Sequence, residues 1–353
     1  MSNRSEISGI QYLRGFAAIA VVLDHVSAMA AFPKYFGQSL WNGALSKGAL
    51  GVDIFFVISG FIIVAVSLKG PALLPAISVR QFFLRRAVRI IPLMWVGILS
   101  YAALRGMFTS TPIIFSEYLR ALVLFPQGSV EPRMIWTLRH EFIFYIIFAI
   151  SFMTGTKRWR PLLYLWFVSP TLIGLFRNQF ATTVVPDAFI DILASPVNLE
   201  FCAGFILAIG WLKMDPQSNW QIPVLSPVVL LYALAITVIF VWGLSQLQIT
   251  SLVSCLVLAV MNGLVVLLGC KLAPANGKLG HIANFFGDAS YSIYLFHPGI
   301  ASGLLAITAK LHLGLPLWII VFSISVIVIA MTCAIHIWVE KPLVAAIKQR
   351  VPR

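Results

Sequence analysis

Acidic side chains are scarce in this chain. Twelve Asp and Glu stand among 353 residues, against 25 Lys and Arg, and all charged residues together make up 10%. A soluble globular domain carries about 25%. A disordered chain needs low hydrophobicity and high charge. Both are excluded by a hydrophobic content of 60% and a mean hydropathy of +0.94. Cysteine is scarce too. Cys202, Cys255, Cys270 and Cys333 stand singly in apolar runs, without metal-ligand spacing. That excludes a disulfide scaffold and a zinc site, and predicts core thiols; no metal is expected. The short polar start MSNRSEIS is followed directly by an apolar run, with no A-x-A-like cleavage site. That run is expected to stay as a signal anchor. With no internal repeat and no attached soluble domain in sight, residues 1–353 read as one integral-membrane domain.

What the chain has in abundance is apolar runs of bilayer length. About ten stretches of roughly 20 residues are expected to be helical spans. They cover 7–30, 49–68, 87–105, 134–153, 160–177, 195–212, 222–243, 250–271, 284–305 and 315–339. The expected fold class is all-α, a polytopic helical bundle of the bacterial inner membrane. The semi-polar segment from Phe108 to Arg133, around YLRALVLF, reads as a long outer loop or a re-entrant helix. The formal net charge of +13 has a topological explanation and calls for no nucleic-acid partner. With the N-terminus inside, seventeen of the 25 basic residues fall in inner segments, seven in outer ones, and Arg139 within a span. Both termini are therefore expected in the cytoplasm.

The first run, QYLRGFAAIAVVLDHVSAMA, keeps three polar groups that a bilayer disfavours: Arg14, Asp24 and His25. Arg14 and His25 are 11 residues apart, close to three helical turns. They share a face, about 16 Å apart along the axis. Arg14 lies near the cytoplasmic mouth and His25 deeper, toward the outer leaflet. Snorkelling would explain Arg14 alone and a packed bundle histidine would explain His25 alone. Their common face favours a pathway. Asp24 points away from His25, because neighbours on a helix diverge by about 100°.

In the second span, GVDIFFVISGFI, Asp53 sits at the depth of His25. An acid there would fix the tautomer of the ring and raise its basicity. The fourth span opens WTLRHEFIFY and places Glu141 at a similar level; the flanking Arg139 is expected to snorkel. His25, Asp53 and Glu141 are the candidate catalytic set. The stretch RQFFLRRAVRIIP puts Arg80, Arg85, Arg86 and Arg89 at the inner end of the third span. Topological anchoring accounts for some of them. Arg85 and Arg89 share a face, and guanidinium forks suit phosphates. With Arg14 they form a candidate cytoplasmic anion site. A pantetheine arm is of the order of the Arg14–His25 separation. The combination predicts a path along which acyl-coenzyme A presents its thioester to an interior base, with the acceptor hydroxyl arriving from the outer side. His25 would deprotonate that hydroxyl or be acylated itself.

With these residues the chain resembles membrane acyltransferase family 3, the O-acyltransferases that modify bacterial surface and secreted carbohydrates. The resemblance covers almost the whole chain. It rests on Arg14 and His25 within YLRGFAAIAVVLDH, on GVDIFFVISGF with Ser59, Gly60 and Phe61, and on RRAVRIIP. It continues through WTLRHEFIFY, NLEFCAGFILA around Glu200 and Gly204, SYSIYLFHP from Ser290 to Pro298, and VEKP at Glu340. Thr137 stands where the family pattern W-S-L-x-x-E has serine, which keeps the hydroxyl.

The resemblance implies acetyl-coenzyme A as donor and an acceptor presented across the inner membrane. It implies a catalytic role for His25 and importance for Arg14, Arg86 and Arg89. It points to a stand-alone form acting on exopolysaccharide or lipid-linked oligosaccharide units, among membrane lipids. Ser59, Trp136, Tyr291 and His297 are the motif positions assigned to substrate; Glu200 and Tyr294 carry no derived role, and Glu340 reads as structural. Transfer of another acyl group such as succinyl, or to a non-saccharide acceptor, is the neighbouring reading. A proton-coupled transporter of anions or lipid-linked glycans is the reading from another class. The lack of an inverted repeat and of paired broken spans counts against it.

Overall fold

The computed structural model describes residues 7–108, 112–180, 192–193, 195–213, 226–246, 251–272, 275 and 277–350. Helix α1 is Ser8–Ala30, and a kinked 3-10 segment, Leu40–Ala49, leads into α2, Leu50–Ser67. A two-residue antiparallel pair, Leu68–Lys69 with Leu74–Pro75, turns the chain into α3, Val79–Phe108. Helix α4 is the short Phe115–Leu122, and α5 is Ile135–Phe148, prolonged by a π turn over Ala149–Met153. Then follow α6, Arg160–Phe180; α7, Val197–Lys213; α8, Ser226–Gln246; and α9, Ser251–Lys271. The last helices are α10, Gly277–Leu311; α11, Leu317–Ile335, with a π turn over His336–Glu340; and α12, Lys341–Arg350.

The all-α class follows from the apolar runs, because in lipid a backbone must satisfy its own hydrogen bonds. Each apolar run expected as a span overlaps a helix. Six helical segments among the described residues are long and apolar enough to cross a membrane: Ser8–Ala30, Leu50–Ser67, Val79–Met107, Ile135–Met153, Gly277–Leu311 and Leu317–Gln349. Pro227–Thr237 and Cys255–Lys271 are apolar but shorter. The segment between the third and fourth runs contains α4. There Arg120 donates to Ser116 Oγ and to the Ser129 carbonyl, and Ser129 Oγ donates to Glu117.

The chain divides into two compact units. The first contains Met1–Phe55, Gln221–Trp242 and Leu268–Arg353. In it α1 packs on α10 and on α11, and α10 on α11. The seam is aliphatic and small. Ala18, Val22, Val26 and Ala30 line α1 at four-residue intervals; Ala289, Ile293, Ala301 and Leu305 line α10. This is the i+4 stripe of a packed helix face. One position of the α10 series, midway between Ile293 and Ala301, is His297. Small residues let the backbones approach. A Cβ on Gly287 would lie 2.2 Å from the carbonyl oxygen of Gln11.

The second unit contains Phe56–Trp220 and Gly243–Leu267. Its core is aromatic. Phe144 lies against Phe201 at 4.4 Å between ring centroids and against Trp166 at 5.8 Å, and Phe201 reaches Phe56 at 5.0 Å. Gly60 and Gly204 make the close approach between α2 and α7. A Cβ on Gly204 would lie 2.0 Å from the Val57 carbonyl oxygen, and one on Gly60 2.3 Å from that of Phe201. Of the four thiols, Cys270 and Cys333 are buried, Cys202 and Cys255 half-buried, and none forms a disulfide.

Candidate active site

His25 lies near the end of α1, beside Val22 and Val26 of the aliphatic stripe. It is half-buried, and its Nδ1 is 2.6 Å from Nε2 of His297 on α10. The two ring planes are within 8° of each other, and the ring centroids are 5.0 Å apart. That separation is about the largest two imidazoles can reach with nitrogens 2.6 Å apart. The rings therefore meet nitrogen to nitrogen in a common plane, along the hydrogen-bond axis, rather than face to face. His297 is fully buried, and its Nδ1 is 3.0 Å from the Ile293 carbonyl. The Tyr294 ring stands 6.0 Å away and leads on to Phe55 at 6.2 Å.

The ring partner of His25 at Nδ1 is thus an imidazole rather than a carboxylate. Asp53 stands in the first turn of α2, half-buried. Asp24, as its angular position predicts, faces elsewhere: it is buried, and a Cβ on Gly48 would lie 2.8 Å from its own Cβ. Tyr291 is half-buried on α10.

Arg14 is on the same helix face, toward the start of α1. It donates to Gln11 Oε1 at 3.0 Å and to Ser290 Oγ at 2.9 Å; Gln11 in turn donates to Asp288 at 3.1 Å. The SYSIYLFHP motif therefore supplies a partner to each of the two co-facial positions of α1: Ser290 for Arg14 and His297 for His25. Farther along the chain, Glu340 accepts from Ser292 Oγ at 2.7 Å and lies 2.7 Å from His336 Nδ1, which ties the π turn to α10.

In the second unit Glu141 collects two hydroxyls on one oxygen. Ser59 Oγ donates to Oε1 at 3.0 Å, and the Tyr145 hydroxyl donates to the same atom. Arg86 stands over the Tyr145 ring, 5.7 Å from its centroid. Tyr145 was not singled out by sequence reasoning. The available signal was its place four residues after Glu141, on the same helix face. Arg85, Arg86 and Arg89 share a pocket of about 250 Å³, whose other walls are Ile62, Val66, Ile77 and Phe82. All three arginines thus line one cavity.

Arg139 does not snorkel. It is buried and donates to the carbonyls of Gly128 and Gln127, at 2.8 and 3.0 Å, pinning the loop before α5. Thr137 is buried and donates to the Met134 carbonyl at 3.0 Å, which is the use the helix start makes of the hydroxyl. Trp136 remains 39% exposed, beside the rings of Phe56 and His140. Glu200 is buried in the first turn of α7.

Known proteins resemble the chain along most of its length. The Exopolysaccharide production protein ExoZ of Rhizobium meliloti (strain 1021) is 31% identical over 312 residues, 84% of this chain and 89% of that protein. A protein of Staphylococcus aureus (strain COL) with the provisional name of O-acetyltransferase is 26% identical over 329 residues, 84% of this chain and 51% of its own length. The O-acetyltransferase OatA of Staphylococcus aureus (strain NCTC 8325 / PS 47) is 28% identical over 171 residues, 44% of this chain and 26% of that one. The chain thus spans about half the length of the former staphylococcal relative. No solved structure matches it significantly. The family described as an acyltransferase domain matches residues 7–336. The helical architecture and the motif pattern agree with that match: the chain belongs to acyltransferase family 3.

Proposed function

We propose that the protein moves an acetyl group from cytoplasmic acetyl-coenzyme A to a hydroxyl of a cell-surface or secreted carbohydrate, an exopolysaccharide or lipid-linked oligosaccharide unit. It does so as a ten-span protein of the bacterial inner membrane with both termini in the cytoplasm. The observation that carries the reading is the pocket of Arg85, Arg86 and Arg89 with its apolar wall. Three guanidinium groups beside aliphatic and aromatic surface suit a ligand that is both polyanionic and partly apolar. An acyl-coenzyme A, with its phosphates and its pantetheine arm, is such a ligand. The relatives' names support an acetyl group and a carbohydrate acceptor: one is an exopolysaccharide production protein, another is an O-acetyltransferase, and a third carries that name provisionally.

In the proposed reaction His25 is the general base. Its ring takes the proton of the acceptor hydroxyl, and the oxygen attacks the thioester carbonyl. A new C–O bond forms at the carbonyl carbon, the C–S bond breaks, and the departing coenzyme A thiolate takes from the imidazolium the proton that came from the acceptor. Asp53 and Glu141 are the proposed carboxylates of the site. Arg14 is proposed to assist donor binding, and Ser59, Trp136 and Tyr291 to face substrate. The half-buried setting of the base, against the fully buried His297, is consistent with chemistry carried out away from bulk water.

The test uses membranes that carry the protein, supplied with acetyl-coenzyme A labelled in the acetyl group. Label should appear in the endogenous glycan fraction and should be absent from membranes lacking the protein. No labelled glycan, with good accumulation of protein and with a panel of other acyl-coenzyme A donors also failing, would overturn the reading in favour of transport.

A further inference from the structure

We infer that His297 is a positioning residue for the transfer: it holds His25 in the tautomer that carries its proton on Nδ1 and leaves Nε2 as the nitrogen that takes the acceptor's proton. The inference rests on the proposal that His25 is the base. It assigns the orienting role to a neutral imidazole on α10.

The argument runs from the outermost atom inward. The Ile293 carbonyl can only accept a hydrogen bond, so the Nδ1 of His297 that faces it at 3.0 Å bears a proton. His297 is fully buried among aliphatic neighbours of the seam. Its nitrogens face carbonyl oxygen and another imidazole, a setting that holds a neutral ring and would leave an imidazolium charge uncompensated. A neutral imidazole has one donor and one acceptor nitrogen. With Nδ1 protonated, Nε2 of His297 is the acceptor. Among the described residues, the nitrogen that faces it is Nδ1 of His25, 2.6 Å away and in the ring plane. His25 therefore carries its proton there, and the lone pair is on its Nε2.

When Nε2 of His25 takes a proton from the acceptor hydroxyl, the imidazolium keeps the same Nδ1–H bond to His297. That bond strengthens because its donor is now charged. No group has to rotate between the resting and the protonated state. His297 thus orients the base before the transfer and stabilises the cation during it, without a net charge of its own.

The test compares wild type with His297→Gln, His297→Asn and His297→Leu in membranes. Initial rates of labelled acetyl transfer into the endogenous glycan fraction are measured over a range of acetyl-coenzyme A concentrations, with accumulation of each variant checked. Glutamine places its amide oxygen where Nε2 stood and still accepts from His25. Asparagine keeps the hydrogen bond to Ile293 but is too short to reach His25. Glutamine should stay within about tenfold of wild-type kcat, whereas asparagine and leucine should lose about a hundredfold or more, all with little change in KM for acetyl-coenzyme A. Equal activity of the asparagine and glutamine variants, with both well accumulated, would overturn the positioning role and leave the acyltransferase reading standing. A leucine variant at wild-type rate would do the same. Wild-type membranes that transfer no label would remove the function itself and this role with it.

Discussion

The two units of the protein bury their polar groups by different means. In the first, the seam between α1 and α10 is a stripe of alanine, valine and isoleucine, and His297 occupies one position of the α10 series. Its nitrogens are bonded by what the helices already offer, a backbone carbonyl and one other ring. In the second unit the core is aromatic, and three arginines line a cavity, one of them, Arg86, over the ring of Tyr145, which is joined with Ser59 to Glu141 by hydrogen bonds. Aliphatic stripes fix a few atoms with little polar material, which suits a group that must keep one orientation. A guanidinium-lined pocket tolerates ligand movement, because phosphates have several equivalent oxygens. On the proposed reading, the base would be oriented in the first unit, and the second would supply the arginine pocket that adds to donor affinity.

The largest effect should come from the side that sets orientation. His25→Ala should lower acetyl transfer by about 10²- to 10⁴-fold while the protein still accumulates in membranes, checked by labelled transfer and by membrane blots. Transfer at the wild-type rate would remove His25 from the chemistry. The affinity side should answer differently. Arg89→Ala should raise the KM for acetyl-coenzyme A by about tenfold or more, the scale of a lost charge-assisted hydrogen bond, with the acceptor requirement unchanged. A change confined to the acceptor requirement would reverse the assignment of that pocket.

Packing in the second unit gives a third comparison. Gly204→Ala sets a Cβ against the Val57 carbonyl oxygen at 2.0 Å, whereas Gly263→Ala meets only side-chain atoms at 3.6 Å and beyond. The first should destabilise by about 1–3 kcal/mol and the second should be close to neutral, read as thermal unfolding in detergent. Equal unfolding temperatures would break the close approach of α2 and α7. The smallest effect is expected for Tyr145→Phe, which removes one hydroxyl from Glu141 and keeps the ring beneath Arg86. A rate loss of roughly fivefold corresponds to about 1 kcal/mol for one hydrogen bond. A loss as large as that of His25→Ala would give Tyr145 a direct part in the reaction.

Much of the site was legible because helix periodicity is local. The common face of Arg14 and His25 needs only the spacing of 11 residues, and the convergence of Arg85 and Arg89 needs only a step of four. The addition of Arg86 to the same cavity depended on α2, whose Ile62 and Val66 also line it. Arg139 was misread as an interfacial cation, because its acceptors are carbonyls of a loop whose path has no periodicity to reveal it. His297 stood in a quoted motif, at the four-residue step between Ile293 and Ala301, and that stripe was the clue that it faces α1.

The sequence by itself determined the all-α class, the membrane-protein character of the chain, the family, and which residues of each helix share a face. Those properties follow from local composition and from the fixed turn of the helix. Only the tertiary structure decided which faces meet. The pairing of His25 with His297 joins residues 272 positions apart, and the approach that sets it depends on contacts such as Gly287 against the backbone of Gln11. Between helices the register is set by the shapes of many side chains packed at once, and no periodicity along one chain segment encodes it.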